Sequence, residues 1–264
     1  MLEPVRITVS SQDPRHLAKK EWFLSQPGCQ WSPAAADPSL TQPCLSITSK
    51  GVYLSYQDER LSFHPSMALL RLMNLYRGLP DRYLEATALQ KGDVLLDATL
   101  GLGTDALVGA WAVGKVGKVV AIERSPYLAA IVKDGLLHEI QVPRVKNPEK
   151  RRAWAELKQA AVNIEVHFDD HFRFMQNLPS SGVDVVYFDP MFRRTQDKSS
   201  SIKPLHLWGN PEKLSPDAVR EACRVARKRV VLKERKESTE FVRLGFEIMP
   251  GGRYSTVDYG IIKP

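Results

Sequence analysis

Cysteine is scarce in this chain and long apolar runs are missing. Cys29, Cys44 and Cys223 are odd in number, widely spread and without a CxxC pair or a nearby histidine set, which argues against a disulfide framework and a zinc site and reads as three unpaired thiols. No stretch approaches the roughly 18 to 20 apolar residues that a membrane helix needs. The opening Met-Leu-Glu-Pro-Val-Arg also lacks a charged region followed by an apolar one. A soluble, cytoplasmic protein is the expectation. Nor is there an acidic excess: 37 Lys and Arg against 30 Asp and Glu give a net charge of +7, a balance that favours encounters with polyanions. No internal repeat or low-complexity tract is evident. What is present is 264 residues with 43% hydrophobic content, enough for one α/β domain with an extension.

The basic residues cluster. Arg144, Lys146, Lys150, Arg151, Arg152 and Lys158 form one stretch, and Arg193, Arg194, Lys198 and Lys203 another. Such runs also describe solvated surfaces, but the second begins one residue after an Asp-Pro-Met-Phe motif, which makes it the better candidate for phosphate contact.

From Val94 onward, short apolar runs alternate with helical patterns, the sequence form of βα units around a parallel sheet. Strands are expected at Val94 to Asp97, Lys118 to Glu123, Ile164 to Phe168, Val183 to Asp189 and Arg229 to Lys233. Helices are expected at Thr104 to Val113, Pro126 to Leu137 and, after a Ser215 cap and Pro216, through Ala226. Phe246 to Met249, Pro250-Gly251-Gly252 and Thr256 to Ile262 read as a terminal hairpin. The pattern predicts a Rossmann-like, mostly parallel seven-stranded sheet with an antiparallel C-terminal hairpin. That is the class I methyltransferase outline, carried by residues 86–264. Residues 1–85 read as a small N-terminal α/β extension: Val5 to Ser10 and Leu45 to Gln57 alternate like strands, Leu17 to Leu24 has helical spacing, and Gln26 to Pro43 reads as loop. Ser66 to Tyr76 and Asp81 to Ala88 read as helices.

Two strand ends carry the chemistry. In Val94-Leu95-Leu96-Asp97-Ala98-Thr99-Leu100-Gly101-Leu102-Gly103 a carboxylate at a strand tip is followed by two glycines, where a side chain would block close approach of a ligand to the backbone. Gly101-x-Gly103-x-x-Ala106, with Glu123 about 20 residues on, also satisfies a dinucleotide fingerprint. Asp97 just ahead of the glycines and Asp170 after the third strand favour S-adenosylmethionine. In that reading Asp97, Thr99, Gly101, Gly103 and Arg124 surround the amino-acid tail and the turn, Glu123 accepts the ribose hydroxyls, and Asp170, with Asp169 adjacent, accepts from the adenine amino group.

Val186-Tyr187-Phe188-Asp189-Pro190-Met191-Phe192-Arg193 places a carboxylate, a proline and an aromatic at a second tip. The Asp189 carboxylate and the Pro190 carbonyl can accept hydrogen bonds from an exocyclic base amine, Pro190 stiffens the turn, and Phe192 can stack on the base. Asp189 also belongs among the cofactor contacts. Met191 is read as packing, and a core position is the lesser alternative for Phe192. His64, Arg193, Arg194, Trp208 and Lys233 are substrate candidates. His64 also fits a capping role, and Lys233 a snorkelling one. The transfer needs no metal, and none is expected.

The segments Asp97 to Gly103, Glu123, Val185 to Phe192 and Arg229 to Lys233 resemble those of the RsmJ-type 16S ribosomal RNA guanine-N2 methyltransferases, and more closely a Firmicutes-type branch of class I methyltransferases. The likeness runs from roughly Phe63 to the C-terminus, while the N-terminal extension and Ser199 to Asn210 depart from it. It implies methyl transfer from S-adenosylmethionine to guanine N2 of ribosomal RNA, with RNA or a ribosomal particle as partner. The residues alone leave open a methyltransferase for DNA, protein or a small molecule, and a non-catalytic RNA-binding protein that retains the fold.

Overall fold

Alternating burial builds the first of two sheets. In the computed structural model, which describes residues 4–32, 43–56, 59–190, 212–249, 251–252 and 255–264, β1 (Val5–Val9) buries Val5 and Ile7. Helix α1 (Pro14–Leu24) starts behind Asp13, whose carboxylate accepts from the Arg15 amide. Strands β2 (Trp31–Ser32), β3 (Cys44–Thr48), β4 (Gly51–Tyr56) and β5 (Glu59–Leu61) complete a sheet in the order β2-β1-β3-β4-β5. The stretch expected to be strand-like from Leu45 is two strands paired antiparallel, with Ile47 opposite Val52. Trp31 and Ser32, expected in a loop, instead pair in parallel with Val5 and Arg6.

Helices α2 (Ser66–Tyr76) and α3 (Arg82–Thr87) lead into the second sheet. It comprises β6 (Val94–Asp97), β7 (Lys118–Glu123), β8 (Ile164–Phe168), β9 (Val183–Phe188), β10 (Ala226–Arg235), β11 (Glu247–Met249) and β12 (Val257–Ile262). Between them run α4 (Thr104–Val113), α5 (Pro126–His138), α6 (Pro148–Ala161), α7 (His171–Gln176), α8 (Pro216–Val225) and α9 (Glu240–Leu244). The order is β11-β12-β10-β9-β6-β7-β8, parallel from β10 to β8, with β12 antiparallel to both β10 and β11. This is the expected seven-stranded sheet with its terminal hairpin.

Strand β9, Val-Asp-Val-Val-Tyr-Phe, is buried at every position because helices cover both faces of the sheet. Its side chains alternate between two cores. Leu95, Val185, Tyr187 and Val231 belong to one, together with residues of α4 and α5, while Leu96, Val186, Phe188, Val230 and Leu232 pack with α8 and α9. Full burial of such a Leu or Val contributes roughly 1.5–3 kcal/mol each. The same alternation carries Asp97, Asp189 and Lys233 along the first face, at the carboxyl ends of β6, β9 and β10.

Two expectations need correction. Helix α8 stops at Val225 because Ala226 is already extended, at φ −81° and ψ 139°, and begins β10. Residues 148–161, read only as a basic stretch, form α6. Asn147 caps it through the Lys150 amide at 2.8 Å, and Ala153, Leu157, Ala160 and Ala161 are buried. Lys150, Arg151, Arg152 and Lys158 are exposed, while Glu156 turns inward and accepts from the Tyr76 hydroxyl and the Trp111 indole N–H, each at 2.7 Å.

Candidate active site

The turn after β6 is held at both ends by main-chain bonds. Ala98 N–H donates to the Tyr187 carbonyl and Leu100 N–H to the Ile122 carbonyl, each at 2.9 Å. Gly101 and Gly103 then take φ +54° and +75°, conformations costly for other residues. A Cβ at Gly103 would come within 3.1 Å of Val132, so this glycine permits close packing of the turn on α5. At Gly101 an added Cβ would meet nothing nearer than the Thr99 carbonyl at 4.0 Å, because that side opens into a cavity of about 610 Å³. Of the residues named from sequence, Asp97, Thr99, Gly101, Glu123, Arg124, Asp189, Pro190 and Lys233 all line this cavity.

Others lie elsewhere. Gly103 is the N-cap of α4 and does not line the cavity. Asp170 caps α7, its Oδ1 accepting from the Phe172 and Arg173 amides at 3.0 and 3.1 Å, and its neighbour Asp169 lines the cavity instead. A carboxylate that satisfies the first amides of a helix is directed along that helix. His64 accepts from the Ser66 amide at 3.1 Å at the start of α2 and lines a separate cavity of about 240 Å³ with Lys50, Asp134 and Trp154. It stands just before the Pro65 N-cap of α2 and does not line the main cavity. Met191, Phe192, Arg193, Arg194, Lys198, Lys203 and Trp208 lie outside the described residues.

Glu123 is buried, with Oε1 accepting from the Ser125 amide at 2.8 Å and Oε2 from the Gly101 amide at 3.0 Å. Burial pushes its carboxyl up to about 7, against those amide bonds. A carboxylate offers about four lone-pair directions, so Glu123 retains acceptor capacity for a pair of hydroxyls. Asp97 is 1% exposed and accepts only the Thr99 amide at 3.2 Å among the described residues. Burial, and then the Asp105 charge, raise its carboxyl well above the usual range. A buried acid with one hydrogen bond beside an open glycine turn suits a cationic partner, such as the amino group of a ligand. The acceptors and the space therefore fit S-adenosylmethionine.

A chain of alternating charge lines the same cavity. Lys233 Nζ donates to Asp189 Oδ2 at 2.7 Å and to Asp105 Oδ2 at 3.3 Å. Asp105 also accepts the Tyr187 hydroxyl at 2.8 Å and pairs with Arg71, whose guanidinium makes a bidentate bond to Asp81 at 2.7 and 2.8 Å. Burial disfavours the charged forms of both Asp105 and Lys233. Lys233 and Arg71 nevertheless hold Asp105 below its usual range, and the two carboxylates hold Lys233 above its own. Burial raises Asp189 against the pull of Lys233, and Asp105 adds to the rise. Thr99 Oγ1 accepts the Asp189 amide at 2.6 Å, tying Asp189 to the glycine turn.

Sequence reading missed Arg71, Asp81, Asp105, Tyr187 and His171. Asp105 reads as an ordinary acid in the first turn of a helix. His171, whose ring stands edge-on to Phe188 at 5.6 Å, follows directly after the Asp169-Asp170 pair that had been singled out.

A parallel sheet closed by an antiparallel terminal hairpin, with an acid-and-glycine turn after its first strand, defines the class I methyltransferases. A family described as "Putative SAM-dependent methyltransferase" matches residues 82–244, and the chain belongs to it. "Uncharacterized protein YpiP" of Bacillus subtilis (strain 168) is 36% identical over 211 residues, 78% of this chain and 76% of that protein. "Ribosomal RNA small subunit methyltransferase J" of Aeromonas salmonicida (strain A449) is 35% identical over 144 residues, 53% of this chain and 51% of that protein. The chain thus spans about half the length of the methyltransferase J relatives. Among solved structures, TrmN from Thermus thermophilus superposes with a TM-score of 0.45 at 16% identity, over 98% of this chain and 71% of that one. The protein is an S-adenosylmethionine-dependent methyltransferase. Among the described residues, no helix is long and apolar enough to cross a membrane.

Proposed function

We propose that the enzyme methylates an exocyclic base amine in RNA, guanine N2 of ribosomal RNA, in the cytoplasm. One observation carries the reading: Asp189 and Pro190 stand at the tip of β9 on the same cavity as Asp97, Gly101 and Glu123, and Asp189 Oδ1 makes no hydrogen bond to the described residues. The names of the methyltransferase J relatives support ribosomal RNA as the substrate class.

The cofactor, when bound, supplies a methyl group on a positively charged sulfur. Asp97 and Glu123 hold its amino-acid tail and ribose, with Thr99, Gly101 and Arg124 around them. An amine conjugated to a base is a poor nucleophile. Asp189 Oδ1 and the Pro190 carbonyl accept its N–H groups, which favours a more pyramidal nitrogen and aims the lone pair at the methyl carbon, an orientation effect. Phe192 stacks on the base, for roughly 1–3 kcal/mol, and Arg193, Arg194 and Trp208 add phosphate and stacking contacts. A base within a helix is flipped out first.

The test is incubation with tritiated cofactor and separate pools of ribosomal RNA, transfer RNA, DNA and protein. Label should enter ribosomal RNA as N2-methylguanosine, and Asp189→Ala should abolish it at cofactor concentrations that calorimetry shows to be saturating for the variant. Label confined to another pool, or turnover that survives Asp189→Ala, contradicts the proposal.

A further inference from the structure

Lys233 has more hydrogen-bonding capacity than holding Asp189 requires. Its ammonium carries three donors. One goes to Asp189, a second to Asp105, and the third has no partner among the described residues, while the side chain stands in the cavity wall. Beside it, Asp189 Oδ1 is an acceptor without a partner in the same set. The register of β9 and β10, with Leu232 opposite Phe188, keeps the two groups side by side. Asp105, itself gripped by Arg71 and the Tyr187 hydroxyl, anchors the ammonium from behind. A fixed acceptor next to a fixed donor is complementary to a molecular edge that carries an N–H next to a lone pair.

We infer that Lys233 is a specificity-determining residue, reading the ring nitrogen adjacent to the amine that Asp189 holds. The substrate class is then a base whose amino group neighbours an unprotonated ring nitrogen. For guanine this selects N2 together with N3, because the other neighbour, N1, carries a hydrogen that would face the Lys233 donor. Hydroxyls and carboxylates lack such an edge. Asp105 is the positioning residue, acting through Lys233. The inference rests on the base-amine reading above and adds to it the face of the base that is presented.

The experiment measures methyl transfer to deproteinised ribosomal RNA with guanosine or 3-deazaguanosine, in which C–H replaces N3, as competitors. Losing a hydrogen bond to a charged donor costs roughly tenfold to a hundredfold in affinity. Guanosine should therefore inhibit the wild-type enzyme that much more strongly than its deaza analogue. In Lys233→Met the ratio should collapse to within about twofold, Lys233→Arg should restore part of it, and cofactor affinity by calorimetry should change by less than about threefold in both. Equal inhibition by the two nucleosides, inhibition by neither, or an unchanged ratio in Lys233→Met overturns the assignment. The wild-type comparison decides even where a variant folds poorly. A wild-type enzyme that labels neither deproteinised RNA nor the RNA of ribosomal particles refutes the base-amine reading itself, whereas an active one indifferent to N3 refutes only the role of Lys233.

Discussion

Acidification should loosen the cofactor through Glu123. Burial moves this carboxyl from 4.5 up to about 7, so between those values the ligand-free folded protein holds a proton that the unfolded chain has released. A raised folded-state value means that the associated stability is fully present below 4.5 and is lost as pH rises through about 7. At about 1.4 kcal/mol per pH unit the interval corresponds to about 3 kcal/mol. Cofactor binding as proposed above runs the other way, because in that reading the ribose hydroxyls donate to the ionised carboxylate. Below pH 7 the proton must leave on binding, and affinity should fall by about tenfold per unit down to roughly pH 5. Calorimetry at pH 5.5, 6.0, 7.0 and 8.0, in two buffers of different ionisation enthalpy, would report both the affinity and the released proton. Glu123→Gln provides the reference: it should bind more weakly at pH 8 but with a slope shallower by about one decade per unit. The titration of the cofactor's own amine enters both proteins alike and cancels, whereas Asp97, which the Glu123 charge helps to raise, shifts downward in the variant and leaves a smaller residual difference. Identical slopes for the two proteins would refute the linkage.

Gly101→Arg should abolish cofactor binding, since it forces a side chain onto φ +54° and into the cavity; calorimetry showing wild-type affinity would contradict the placement of the ligand. Asp105→Ala should destabilise the protein by about 3–5 kcal/mol in urea denaturation, because Arg71 and Lys233 lose the carboxylate between them. A loss below about 1 kcal/mol would mean that the network carries little stability.

Much of the larger sheet was legible because its strands are short β-branched runs between glycines, prolines and caps. The bounds of β6, α4, β7 and β8 match those read from sequence. The acid-and-glycine turn was legible for the same reason: its meaning is local. Helix α6 was not, since its buried face is mostly alanine and its polar face dominates the composition; Asn147 followed by Pro148 was the cap signal available. The Arg71–Asp105–Lys233 chain was invisible because its members are 34 and 128 residues apart and meet only when α2, α4 and β10 pack. His64 and Asp170 share a feature that sequence does not resolve: a polar side chain just before a helix serves that helix's amides as readily as a ligand.

The bond from the Asp189 amide to the Thr99 hydroxyl bears on how kinetic data for this enzyme are to be read. A substitution that displaces residues 97–103 tugs on Asp189, the acid proposed to receive the substrate, even when it touches no substrate atom. Lower turnover in such a variant therefore does not by itself report weaker retention of the methyl donor. Saturating donor concentrations and single-turnover measurements are needed to separate the two, and Thr99→Val, which cuts that bond while leaving the glycines intact, is the variant with which to calibrate them.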